Sequence, residues 1–373
     1  MVVNGYDIEP GADLINADLA GAYLSRANLE SADLEGADLT GANLTGADLT
    51  NAYLTGANMT GANMDRAILN YAHLKYANMT GANLTGADLN YADLEGAKLY
   101  GAKLTGTDLR KANLTGADLA GRDLEGAGLT GANLTGANLI GARIKFLGGA
   151  NLTNANLTGA DLRHAHLKDA NMTGANMTGA NLEGADLTGA NLTGADLTNA
   201  HLTGANMTGA NMDRAILNYA HLRYANMTGA NLTGANLAPA NLTAANFTGA
   251  NLSDANMTGA NMTGANLTRA ILNNAILRDA DLEGADLTDA NLKGAILTGV
   301  NLKFAKLPGA NMTGANLTRA ILRNANLAGA NLTRAILNNA ILNNANLTEA
   351  NLRNANLEGA TMPAGWRDIV VPY

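Results

Sequence analysis

Residues 36–50 read GADLT GANLT GADLT, with an Ala at every fifth position and a Leu two places after it. That period suits neither ordinary element, because a helix repeats its faces about every 3.6 residues and a strand every second residue. A short extended edge followed by a turn does suit it. Four such pentapeptides close a square coil, and residues twenty apart then stack one strand spacing above each other. Ala37 and Leu39 point inward on this reading, Asp38 points outward, and Thr40 with Gly41 makes the corner.

Working outward, the Ala column holds from Ala12 to Ala142, broken by Thr107 and Arg122, and the central column runs from Leu14 to Ile144 without a polar residue. The next in-phase Ala after Ala142 is Ala150, so 145–149 reads as a short interruption or loop carrying three residues more than the register allows. From Leu152 to Met362 the phase holds again, with Val300 as the one replacement for Ala. About 70 pentapeptides make about 17 coils. At about 4.8 Å per coil they form a rod of roughly 80 Å. A single coil leaves its apolar face open, so stability accumulates by stacking and the ends need caps. Val2, Val3, Tyr6 and Ile8 are expected to supply one cap within 1–11, and Trp366, Ile369, Val370 and Val371 the other within 363–373. The repeat occupies 12–144 and 150–362.

The corner is usually Thr-Gly, as a type II turn requires, since its second central residue has φ above zero. Asn51, Asn199 and Asn274 tolerate that conformation. Arg66, Tyr71, Tyr76, Tyr219 and Tyr224 meet a steric cost there, and a different turn type is expected at those corners.

Composition excludes several classes of function. The chain has no Cys, which removes disulfides, thiolate metal sites and a cysteine nucleophile. No stretch approaches the roughly 18 apolar residues of a membrane span, and the opening MVVNGYDIEP has neither a basic start nor an apolar run. The reading is a soluble, cytoplasmic protein. Its net charge of −8 is uneven, for Asp7, Glu9, Asp13, Asp18, Glu30, Asp33, Glu35, Asp38 and Asp48 face only Arg26 near the start. Acids and bases nearly cancel beyond it. Direct nucleic-acid binding is therefore not expected, because it needs clustered Lys and Arg.

Tandem A(D/N)LxG over residues 12–362 resembles the pentapeptide-repeat family, which is abundant in cyanobacteria. The resemblance implies an all-β fold, a right-handed quadrilateral β-helix with the central residue and the Ala two before it facing inward. It also brings a functional alternative, since some relatives resemble B-DNA in shape and charge and inhibit or protect DNA gyrase. Those relatives carry Phe at many central positions, whereas Phe247 is the only central Phe here, and 145–149 is the only candidate for a projecting loop. Duplex DNA presents one charge per about 1.7 Å, far denser than this chain. Mimicry is thus confined to the acidic start.

A longer duplication overlies the short one. Residues 50–87 recur at 198–235 with His201 for Tyr53 and Arg223 for Lys75, and GANMTGANLTRAIL occurs from Gly259 and again from Gly309. These copies point to growth of a tolerant scaffold by segment duplication.

Four groups of outward residues are candidates for interaction. Asp13 with Asp33, and Asp18 with Asp38, are twenty apart and should stack, as a partner or cation site or as a charged end that blocks edge-to-edge aggregation. Ile replaces the usual outward Asn or Asp at Ile68, Ile216, Ile271, Ile276, Ile296, Ile321, Ile336 and Ile341. Of these, Ile276 stacks with Ile296, Ile336 lies two coils beyond Ile296, and Ile321 stacks with Ile341. Laddered apolar residues form a patch, and patches mark interfaces, although β-branched residues are also good strand formers. Tyr71 and Tyr91 should share one corner, suited to a planar or carbohydrate ligand or to packing between themselves. His73, His166, His201 and His221 sit at outward positions with His164 nearby, and are read as having no two twenty apart and no recurring carboxylate–His–His grouping. A filled solenoid offers no catalytic cleft. The expectation is a non-catalytic scaffold or protein-interaction rod without cofactor or metal, a monomer or end-to-end dimer, whose partner is another protein. A gyrase-directed DNA mimic is the alternative.

Overall fold

In a computed structural model of the chain, which describes residues 1–371, the pentapeptide 230–234 shows how five N–H groups are satisfied. Ala230 closes a turn on the Met227 carbonyl at 3.0 Å, Asn231 donates to Ala210 at 3.0 Å in the preceding coil, and Leu232 donates to Asn251 at 2.7 Å in the next. Gly234, with φ at 63°, donates to Ser253 at 2.9 Å. The fifth N–H, on Thr233, goes to the side-chain Oδ1 of Asn231 at 3.2 Å. The outward Asn thus serves the backbone as well as the surface. The same oxygen accepts the Thr233 hydroxyl at 2.6 Å, and Asn231 Nδ2 donates to Asn211 Oδ1 at 2.9 Å, which ties coil to coil.

Outward residues pair in parallel at intervals of twenty, as Asn211 with Asn231 and Asn231 with Asn251 do. Four edges per circuit make the coil quadrilateral. A chain that returns parallel to the same sheet does so through right-handed connections. The solenoid is accordingly a right-handed quadrilateral β-helix, and it forms two compact units, Met1–Asn181 and Leu182–Tyr373.

The first unit opens on a hairpin in which β1 (Val2–Val3) pairs antiparallel with β2 (Tyr6–Asp7). Asn4 and Gly5, at φ 54° and 88°, form its left-handed two-residue loop. Of the residues expected to cap this end, Ile8 is buried, Val3 and Tyr6 are half-buried, and Val2 is 68% exposed. Central residues from Leu14 to Ile144 are buried. Thr107 keeps its inward place because its hydroxyl donates to the Leu84 carbonyl at 2.9 Å. Arg122 leaves the column instead. Its Nε reaches the Ala120 carbonyl at 3.0 Å and its guanidinium lies 5.4 Å from the Tyr100 ring.

The interruption is a contraction, not an excess. Strand β3 (Asp123–Gly128) runs straight through where a corner would fall, and Gly126 lacks the positive φ of the corner glycines. It pairs with β4 (Arg143–Phe146) as Asp123 with Arg143, Leu124 with Ile144, and Gly128 with Phe146, so four steps on one strand face two on the next. Leu147, three residues after Ile144, is buried as the next central residue. Two residues are missing from this edge, and nothing projects. Asn133 accordingly pairs with Asn151 and Asn138 with Asn156 before the interval of twenty resumes at Phe146 and His166.

The corners expected to change turn type do not. Arg66, Tyr71, Tyr76, Tyr219 and Tyr224 have φ of 54°, 61°, 55°, 58° and 59°, the same as Asn51 at 55°. Ladder bonds on both sides fix the corner's path, and the bulky side chains turn out to solvent. The steric cost, about 1–2 kcal/mol per residue, is absorbed by the stack.

In the second unit the central residues from Leu182 to Leu352 are buried, including Phe247, as is Val300 in the Ala column. At its far end the chain turns through a 3₁₀ helix, Trp366–Asp368. Glu349 then donates to the Ile369 carbonyl at 2.7 Å and Val371 to the Ala350 carbonyl at 2.9 Å. Of the expected cap, Val370 is buried, Trp366 half-buried, and Ile369 and Val371 exposed. Pro372 and Tyr373 lie outside the described residues. Central Leu357 and Met362 stay half-buried.

Candidate interaction surfaces

With the inward columns filled, function is left to the outward positions. Asp13 pairs with Asp33 and Asp18 with Asp38. Each carboxylate accepts the N–H two residues on, from Ile15 at 3.3 Å, Ala20 at 3.2 Å, Glu35 at 3.1 Å and Thr40 at 2.9 Å. The Thr40 hydroxyl and N–H hold the Asp38 carboxyl below the usual carboxylate range. These Asp therefore do the backbone work of Asn, but each lacks the Nδ2 that would donate to the preceding coil. In each pair two carboxyl groups stack with no side-chain amide donating between them.

Ile276 pairs with Ile296, Ile321 with Ile341, and Ile336 lies beyond Asn316 on the first of these ladders. Each paired Ile is half-buried and Ile336 is 40% exposed. Ile has no acceptor for the N–H two residues on, so each substitution forfeits the side-chain bond that Asn makes.

The rings of Tyr71 and Tyr91 stack at 5.1 Å and 7°. Lys111 lies over Tyr91 at 4.9 Å from its centroid and donates to its hydroxyl at 2.6 Å. The two faces of Tyr91 are thus taken, by Tyr71 and by Lys111, which favours packing over ligand stacking.

Two of the histidines are twenty apart, contrary to the expectation. His201 and His221 pair as neighbours on one edge, with rings stacked at 4.8 Å and 14°. His73 stacks on Tyr53 at 4.8 Å and His166 on Phe146 at 5.5 Å. Twenty-residue spacing is the signal that finds the first pair.

The contraction creates a cleft of about 200 Å³ lined by Glu125, Arg143, Ile144, Lys145, Asp161, Arg163 and His164. Arg143 meets Glu125 and lies 3.7 Å from Asp123, while Arg163 grips Asp161 through Nε at 2.9 Å and a terminal nitrogen at 2.7 Å. That grip holds the Asp161 carboxyl below its ordinary range. The charges in the cleft are largely matched. Among the described residues no three His, Asp or Glu converge as a metal cage, and no helix is long and apolar enough to cross a membrane.

The model for pentapeptide repeats matches this chain in overlapping segments from residue 11 to residue 362. No curated protein matches. Among solved structures, the chain is similar to HetL, a pentapeptide repeat protein involved in heterocyst differentiation regulation from Nostoc sp. strain PCC 7120, at 30% identity and a TM-score of 0.15, covering 79% of this chain and 91% of that one. QnrB1, a plasmid-mediated fluoroquinolone resistance protein, is 18% identical with a TM-score of 0.30, covering 57% of this chain and 91% of its own. A pentapeptide repeat protein from the Arabidopsis thaliana thylakoid lumen is 37% identical with a TM-score of 0.17 over 30% of this chain and 68% of that one.

Proposed function

This chain belongs to the pentapeptide-repeat family, and we propose that it is a non-catalytic scaffold that docks another protein along its Ile ladders. The carrying observation is the direct pairing of Ile276 with Ile296 and of Ile321 with Ile341. Asn at those positions would bond its own backbone and the preceding coil, as Asn231 does. Ile gives up both bonds and presents a short apolar strip, one pair of residues long, on each of two edges. A partner's apolar side chains would recover what the strip leaves in water, at about 25 cal/mol per Å².

The same accounting supplies a clean test. Ile276→Asn with Ile296→Asn, or Ile321→Asn with Ile341→Asn, installs the residue the ladder favours, so the fold should hold or gain stability. Crosslinked partners of the wild type should be lost from these variants while their melting temperatures stay level. Partners retained by both variants would end the ladder reading.

The stacked carboxylates support a second reading, a local DNA mimic acting on DNA gyrase. Asp13, Asp33, Asp18 and Asp38 set two pairs of like charges at a strand spacing on adjacent edges. Purified protein that leaves gyrase supercoiling unchanged, with and without a quinolone, removes it.

A further inference from the structure

Segments 50–87 and 198–235 differ at only two positions, and one difference puts His201 where the first copy has Tyr53. Ring geometry is conserved across that change. Tyr53 lies over His73 at 4.8 Å and 4°, and His201 lies over His221 at 4.8 Å and 14°. What changes is the chemistry, from one imidazole to two. We propose that His201 and His221 form a surface chelate for a divalent transition-metal ion, Cu²⁺, Ni²⁺ or Zn²⁺.

Imidazole suits these ions, and a metal–nitrogen bond of about 2.0–2.1 Å places two neighbouring ligand nitrogens roughly 3 Å apart. Parallel rings at 4.8 Å reach that separation by tilting toward each other at their outer ends. The backbone beneath them is held in register, since His221 donates to the Ala200 carbonyl at 2.9 Å and accepts from Leu202 at 2.7 Å. Both rings are exposed, so an ion arrives without displacing a packed group. Pre-organisation of this kind lowers the cost of adding the second ligand. With no third His, Asp or Glu converging among the described residues, the ion keeps its other positions for water or for a donor from outside. A hollow of about 440 Å³ lined by His221 together with Tyr219, Pro239 and Asn241 leaves room for one.

The duplication provides the controls. His201→Tyr rebuilds an edge that the first unit already folds, and Tyr53→His builds a second pair. Isothermal titration of the full chain, carrying no added His tag, with CuCl₂ or NiCl₂ should show binding that weakens at least tenfold in His201→Tyr and gains a further equivalent in Tyr53→His. Binding unchanged by His201→Tyr overturns the proposal, because His73, His164 and His166 remain in that protein. A Tyr53→His protein that binds no more ion than the wild type overturns it equally.

Discussion

Left-handed backbone recurs at the corners, Gly126 and Pro239 excepted, but what stands below each corner glycine differs. Gly264, at φ 65°, has open space where a Cβ would go. Gly294, at φ 69°, has Asn274 Oδ1 2.7 Å from that point. The difference lies in the residue twenty before. An Asn or Asp in the left-handed position can lean its carbonyl or carboxylate toward a glycine twenty further on, as Asn154 does toward Gly174 and Asp289 toward Gly309. Gly264→Ala should therefore cost only the left-handed strain, about 1 kcal/mol. Gly294→Ala should cost about 1 kcal/mol more, because Asn274 must rotate and give up its 3.3 Å bond to Asp254. Adding Asn274→Ala should remove that excess. Denaturant melts of the wild type, Gly294→Ala, Asn274→Ala and the double variant, treated as a double-mutant cycle, check it, and additive effects would show that the two residues do not touch.

At the scale of the edge, the contraction makes a strong prediction. If Leu147 belonged to a surface loop, Leu147→Ala would change stability by no more than about 0.5 kcal/mol. It is fully buried in the central column, and truncation should cost about 2–5 kcal/mol, as for Leu129→Ala in the preceding coil. A melting temperature unchanged by Leu147→Ala would restore the loop. The same place shows what the sequence discloses and what it does not. The step of eight from Ala142 to Ala150 is equally five plus three or ten minus two, and the Ala column cannot choose between an insertion and a deletion. Leu147 chooses, as an apolar residue three after Ile144, but only a backbone that skips a corner gives that spacing meaning. Where the register is unbroken, periodicity alone placed the pairs Asp13 with Asp33, Ile276 with Ile296, and Tyr71 with Tyr91. Steric reasoning at single residues did worse. It assigned the Tyr corners a new turn, because the constraint that holds them left-handed comes from the coils on either side.

At the scale of the whole chain, the ladder makes stability a sum of coils and their interfaces, so coils with incomplete neighbours should open first. The structure names the weakest described stretch. Leu357 and Met362, with Ala355 and Ala360, are only half-buried, while every central residue from Leu182 to Leu352 is buried. Trp366 follows Met362 by four residues and is the only Trp in the chain, so its fluorescence reports that end alone. Circular dichroism reports the strands of all coils together. In a urea titration the Trp366 signal should therefore change at lower denaturant than the dichroism, and amide exchange should quicken steadily from the coils near Leu322 toward Met362. Two coincident transitions, with uniform protection out to Met362, would mean that the chain unfolds all or none. The segment after Pro363 would then be a full cap despite the exposure of Ile369 and Val371. Separate transitions would instead place the least stable coils next to the Ile321 and Ile341 ladder. A partner seated on that ladder would then raise the Trp366 midpoint by mass action while leaving the dichroism midpoint nearly fixed.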